Sequence, residues 1–286
     1  MNSNSLTTND VSGKLKSNIV PNTTVNFHSQ HCTIEKLSLT SQNFTSNAFS
    51  LMNCNIRSIE KNLNNLKDLL CDTKFKPDLI ALSETWHDSK SFFIPSFPNY
   101  NFISSPHSCN RAGGVAIFLK STYSYCIRHD LKLSAEKCED LWIEVKGIVN
   151  RSIVIGVIYR HPSYKVSEFQ QNFQRLIFNL NNSQKPVFIT GDFNIDLSGG
   201  SNYDFSNSIS QLGFDQLVNA PTHLNTHHNT TSLIDHFYCN QLQDNISIKV
   251  LIADLSDHWP VLVWIKSPVI KKKLLKKNYS AGHETF

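Results

Sequence analysis

The chain has 286 residues, 40% of them hydrophobic, enough for one large domain or two small ones with a sizeable packed core. Its 27 Lys and Arg outnumber 23 Asp and Glu, but Lys271, Lys272, Lys273, Lys276 and Lys277 form one late run; without them 22 basic residues face 23 acidic ones, so no global field draws the body to nucleic acid. Seven cysteines without a C-x-x-C pair exclude a zinc ribbon and a full disulfide set, and no apolar signal segment or bilayer-length run occurs, so the sequence reads as intracellular and non-membrane.

Residues 1–46 are dominated by Asn, Ser and Thr, too poor in apolar surface to offset the entropy of ordering, and predict a flexible leader. A strand through Asn53 follows, then a helix with Leu63, Leu66, Leu69 and Leu70 on one face, closed by Lys76-Pro77-Asp78. A strand over 79–82, a loop marked by Pro95 and Pro98, an extended segment over 100–103 and a strand over 115–119 opened by Gly113-Gly114 come next. Segments 141–145 and 153–159 predict a hairpin across Asn150. The clearest helix has Ser167 and Gln170 as a capping box and Phe169, Phe173, Leu176, Ile177 and Leu180 on one stripe, which must lie on a sheet. Strands over 187–190, 233–238, 248–251 and 261–265, with a short helix ending near Gly213, complete a domain over 47–267. Helices and strands intermix without the alternation of a parallel barrel, which predicts an α/β fold of two mixed sheets covered by helices.

Polar residues end or interrupt these apolar runs in a fixed order: Asn53, Glu84, Tyr159, Asp192 with Asn194, Asp235, and Asp257-His258. Polar strand ends converging on one rim of a sheet are where α/β proteins place their chemistry. Asp192 and Asn194 stand two apart at a strand end and so share a face. Alone, Gly191-Asp192-Phe193-Asn194 reads equally well as a turn after a buried strand, and Ser256-Asp257 as a loop device.

Taken together, Met52-Asn53-Cys54-Asn55, Ser83-Glu84-Thr85-Trp86, Tyr159, Gly191-Asp192-Phe193-Asn194, Asp235 and Ser256-Asp257-His258 resemble the signature of the endonuclease/exonuclease/phosphatase superfamily of Mg²⁺-dependent phosphodiesterases. The flanks Arg111-Ala112-Gly113-Gly114-Val115-Ala116, Val157-Ile158-Tyr159-Arg160-His161-Pro162 and Ser232-Leu233-Ile234-Asp235 are similar to the endonuclease domain of LINE-type, non-LTR retrotransposons. The resemblance covers residues 49–266. It implies a four-layer α/β sandwich, two mixed β-sheets flanked by helices, and makes 268–286 a basic tail, the stub of a linker to an absent reverse transcriptase.

The resemblance further implies a metal site of Glu84, Asn53 and Asp257, with oxygen ligands suited to Mg²⁺ and to Mn²⁺ as a substitute. Asp192 would orient or deprotonate the attacking water, Asn194 would hold that water or the phosphate, and His258, fixed by Asp235, would contact the scissile phosphate. Tyr159 would place a hydroxyl at the phosphate, or else packs across strands. Many relatives carry an acid where Asn55 stands, so no metal role is assigned to it. Double-stranded DNA is the implied partner, without an obligate protein partner, and the nucleus the implied compartment. Thr222, His223, Asn225 and Thr226, in a His-rich loop over 222–231, with Arg160 and Arg111, are the candidate DNA contacts; the loop reads equally well as an ordinary polar connection. The implied activity is nicking of one DNA strand to leave a 3′-hydroxyl. Another branch acting on abasic DNA, lipid or RNA, and an inactive nucleic-acid-binding remnant, stay open as alternatives.

Overall fold

The computed structural model describes residues 29–40, 48–88, 92–105, 113–133, 137–148, 151–181, 184–200, 202–241 and 246–266. The basic tail, Arg111 and most of the predicted leader lie outside them. Two mixed sheets form the body. One has the order β1 (Ser29–Cys32), β14 (Ile246–Leu251), β15 (Val261–Lys266), β2 (Ala48–Asn55), β3 (Leu79–Ser83), β5 (Val115–Lys120) and β4 (Tyr100–Ser105). The other runs β10 (Asp215–Gln216), β13 (Asp235–Cys239), β9 (Val187–Asp192), β8 (Arg151–Arg160), β7 (Cys138–Ile148) and β6 (Tyr125–Ile127). A separate hairpin joins β11 (His223–Asn225) to β12 (Thr230–Ser232).

Strand alternation sorts the apolar residues into layers. Phe49 and Leu51 of β2, Leu79 and Ala81 of β3, Ile153, Ile155 and Val157 of β8 and Phe237 of β13 share the core between the sheets. The intervening residues Met52, Cys54, Ile80 and Leu82 pack under helix α2 (Ile59–Asp72), through the leucines that the sequence marks. On the opposite side Val154, Ile158, Val187 and Ile189 meet α3 (Val166–Asn181) and α4 (Tyr203–Ser210), where Phe169, Phe173, Phe193 and Phe205 cluster. The result is the expected four-layer sandwich. Among the described residues no helix is long and apolar enough to cross a membrane.

Two expectations are corrected. Residues 29–40, read as flexible leader, hold β1, which pairs in parallel with β14, and helix α1 (Ile34–Thr40). His31 Nε2 bonds the Pro221 carbonyl at 2.7 Å and its ring stands edge-on to Trp259, while Leu37 is buried, so a few anchors suffice in a polar segment. The capping box also fails. Helix α3 already includes Val166, and Gln170 Nε2 donates instead to Ser208 Oγ at 2.9 Å, joining α3 to α4.

Gly191 is required by the backbone. Its φ is +135°, and a Cβ there would lie 1.9 Å from the carbonyl oxygen of Ile158 on the paired strand β8. Backbone cannot retreat from it. Gly191→Ala is therefore expected to destabilise the fold by about 3 kcal/mol or more, read as a shift of the urea midpoint. An unchanged midpoint would contradict this strand geometry.

Candidate active site

The site is the polar end of the core between the sheets. In β2 the row Phe49, Leu51 continues into Asn53 and Asn55; in β8 Val157 continues into Tyr159; in β9 Phe188 and Thr190 continue into Asp192. Two of the parallel pairs, β2 with β3 and β8 with β9, bring their carboxyl ends to this rim. In the six-stranded sheet the register sets Glu139, Tyr159, Asp192 and Asp235 opposite one another in a single cross-strand row.

One half of the site is tied together by Asn55. Its Nδ2 donates to Glu84 Oε1 at 3.0 Å and to Asp192 Oδ2 at 2.9 Å, so a single amide links the two sheets. Glu84 has a left-handed φ of 49°, as has Trp86, a conformation that side chains adopt only when neighbours impose it. Those neighbours are present: Ser58 N–H donates to the Glu84 carbonyl at 2.9 Å, Ile59 N–H to that of Thr85 at 2.8 Å, and Trp86 N–H to Gly113 at 2.9 Å. Burial, then the carboxylates of Glu84, Asp192 and Glu139, pushes the Tyr159 phenol upward, and its hydroxyl meets Glu84. Asp192 is fully buried; Oδ1 accepts the Asn194 N–H at 2.9 Å and Oδ2 the Asn194 side-chain amide at 3.2 Å. Burial raises its carboxyl above the ordinary range; His258 opposes that shift, while Asp235 and Glu84 add to it.

The other half centres on His258, which is 5% exposed and shares a hydrogen bond from Nδ1 with Asp235 Oδ2 at 2.8 Å. Burial works against its charge, but Asp235, with Asp192 and Asp257, lifts the imidazole to about 10. Asp257 meets Arg57 Nη1 at 2.5 Å and His223 Nε2 at 3.6 Å. Partial burial disfavours its charge, yet His223, His258 and Arg57 hold the carboxyl down at about 2. Arg57, Trp86, His223, Asn225, Thr226 and Asp257 line an open cleft of about 630 Å³ over this half.

The predicted catalytic and metal residues thus converge on one rim, with Glu84 in one half and Asp257 in the other. Oxygens without a partner, which could hold an oxygen-loving cation, stand in both halves. Both amide atoms of Asn53, buried to 1% exposure, lack a partner, and so does Asp257 Oδ1. These oxygens and the Glu84 carboxylate are donors of the kind that suits a hard divalent cation.

The DNA contacts need more correction. Arg160 is 2% exposed: Nη1 donates to the carbonyls of Phe193 at 3.2 Å and Asn194 at 3.1 Å, Nη2 to that of Tyr164, and Asn194 Nδ2 returns a bond to the Arg160 carbonyl at 2.8 Å. It braces the Asp192–Asn194 turn and faces no solvent. Thr222 is likewise fully buried, its Oγ1 accepting the N–H of Ile234 at 3.3 Å and of Asp235 at 3.0 Å, so it holds the strand that carries Asp235. Asn225 and Thr226 do line the cleft, with Asn225 Oδ1 also accepting the N–H of His227 and His228 at 3.1 Å each. Arg111 lies outside the described residues. Sequence reasoning gave Asn55 no role; the signal for its link between the sheets was its place two residues after Asn53, on the same strand face.

Residues 46–258 match the model of the Endonuclease/Exonuclease/phosphatase family. The chain belongs to this family. No curated protein matches it. Among solved structures, the endonuclease domain of TRAS1, a telomere-specific non-LTR retrotransposon, superposes with a TM-score of 0.60 at 14% identity, over 77% of this chain and 99% of that one. The 3′-5′ exonuclease NExo from Neisseria meningitidis gives 0.59 at 14% identity, over 76% and 99%. D. rerio TDP2 complexed with a single-strand DNA product gives 0.52 at 12% identity, over 77% and 99%. At such identities the likeness is one of fold.

Proposed function

We propose that the protein is a Mg²⁺-dependent DNA endonuclease that nicks one strand and leaves a 3′-hydroxyl. The observation that carries this reading is the buried carboxylate of Asp192, linked through Asn55 to Glu84 on one side and neighboured by the Asp235–His258 pair on the other. Asn53 and Glu84, with Asp257 as the expected third ligand, would hold the cation, which when bound offsets charge on the phosphate. Asp192, with its raised proton affinity, accepts the proton of the attacking water. His258, kept charged and oriented by Asp235, donates to a phosphate oxygen, and the Tyr159 hydroxyl offers a second donor. Asn194, whose amide is bonded to Arg160 and Asp192, positions the carboxylate. The TRAS1 endonuclease domain among the structural neighbours, and the DNA product bound to TDP2, support DNA as substrate.

Supercoiled plasmid tests this. Relaxation with Mg²⁺ or Mn²⁺ but not with EDTA, giving nicks that a polymerase extends directly, is the expected result. Hydrolysis confined to abasic, lipid or RNA substrates would assign the chain to another branch, and no hydrolysis of any of them would mark an inactive remnant.

The hairpin is read as the element that chooses where nicking occurs. Its first strand is fixed by Leu224 N–H to Asp257 O at 2.9 Å and Trp259 N–H to Thr222 O at 2.6 Å, while residues 227–231 project into solvent. Replacing 226–229 with Gly/Ser is expected to flatten the distribution of nick sites, since good base or groove contacts discriminate by about 1–3 kcal/mol each, and to lower total nicking less than about tenfold. A sequencing-gel profile identical to the parent's would refute the assignment.

A further inference from the structure

We propose that His223, Asp257 and His258 form a second cation site, selective for a borderline divalent ion of the zinc class, which shares with the oxygen site at Asn53 and Glu84 only Asp257, the third ligand expected there. One ring nitrogen of each histidine and one oxygen of Asp257 lie within 4.8 Å of one another. Ligands about 2 Å from a tetrahedral zinc ion stand roughly 3.4 Å apart, so closure asks each atom to move about an ångström or less.

The surroundings are those of a built site. His258 Nδ1 is bonded to Asp235 Oδ2 at 2.8 Å and His223 Nδ1 to Ser232 Oγ at 3.1 Å, which leaves Nε2 of each ring as the coordinating nitrogen and fixes its direction; binding releases to solvent the Nε2 proton that the charged His258 carries, so affinity rises with pH. A carboxylate or hydroxyl behind a ligating imidazole is the usual support of such ligands. The rings stand 4.8 Å apart, held by a backbone bridge between the two residues, so their spacing is set by the hairpin and not by flexible side chains. Asp257 Oδ1 is buried without a partner. The oxygen set beside the histidines is Oδ2, 3.6 Å from His223 Nε2, and the Arg57 guanidinium that shares it, on a side chain 47% exposed, swings away at little cost because exposed ion pairs contribute about 1 kcal/mol or less. Two imidazoles and one carboxylate prefer Zn²⁺ or Co²⁺ to Mg²⁺, whereas an all-oxygen site has the reverse preference.

If the nuclease reading above holds, an ion here withdraws His258 and Asp257 from the phosphate, so Zn²⁺ inhibits even in excess Mg²⁺. Binding itself does not rest on that reading and is tested without DNA. Co²⁺ added to the full chain is expected to give visible d–d absorption without thiolate charge-transfer bands, displaced by Zn²⁺ but not by Mg²⁺. His223→Ala should weaken binding by at least about 100-fold and Ser232→Ala by about 10-fold, more and less as befits a ligand and its support. His223→Cys should restore binding with a new thiolate-to-cobalt band, which shows that the variants fold. Absence of d–d absorption in the parent chain, or absorption that survives His223→Ala and disappears in Glu84→Gln, would overturn the site. Binding with no inhibition would leave this site standing and remove the nuclease role of His258.

Discussion

Glu84→Gln is expected to reduce Mg²⁺-dependent plasmid relaxation by at least about 1000-fold, the scale of several kcal/mol of charge stabilisation lost from the transition state. The substitution is conservative for the fold. Asn55 Nδ2, which donates to Glu84 Oε1 at 3.0 Å, can donate equally to an amide oxygen there, and the left-handed backbone is held by hydrogen bonds that do not involve the side chain. What disappears is the negative charge on the oxygen donor set beside Asn53. Relaxation within tenfold of the parent, in protein with an unchanged melting midpoint, would show that the cation does not depend on Glu84.

A comparable loss is expected at the other half of the site, where Asp235 and His258 act as one unit. Asp235 makes a 2.8 Å bond to Nδ1 and holds the imidazole charged; without it the ring loses both orientation and charge. Asp235→Asn and His258→Ala should each lower the nicking rate by about 10²–10⁴-fold. The double variant should fall no more than about tenfold below the weaker single, since residues that act together are not additive. Multiplicative losses across the cycle would mean that Asp235 serves another group, with Asp192, its cross-strand partner, the first to examine.

The strands that carry the site were legible because a polar residue cutting an apolar run has a single cheap location, the rim where the buried layer ends. Asn53, Tyr159 and Asp192 all follow that rule. The α2 and α3 leucine and phenylalanine stripes placed the helices for the same reason. Buried polar residues that bond to backbone follow no such pattern. Arg160 and Thr222 look like surface groups in a sequence, yet both are sealed in by carbonyl or N–H partners that only the fold supplies. The segment 29–40 escaped notice because an edge strand pairs through its backbone, so its composition need not be apolar. The grouping of His223 with Asp257 and His258 depends on the hairpin folding back onto the chain 34 residues later, a distance over which local pattern carries no information.

The position of β15 has a consequence for how this activity comes into being. The last described strand is no edge addition: it lies between β14 and β2, hydrogen-bonded to both, and its Val261 sits beside Asn53. Until β15 is inserted, the strand that brings Asn53 and Asn55 has an open flank, and the turn with Asp257 and His258 has nothing to hang from. A growing polypeptide on the ribosome therefore passes through almost its whole described length as a harmless object, with pairings of long sequence separation among the last to close. If the nuclease reading holds, activity arrives in one step with β15, and a stop before that strand yields a silent protein in place of a weak nuclease.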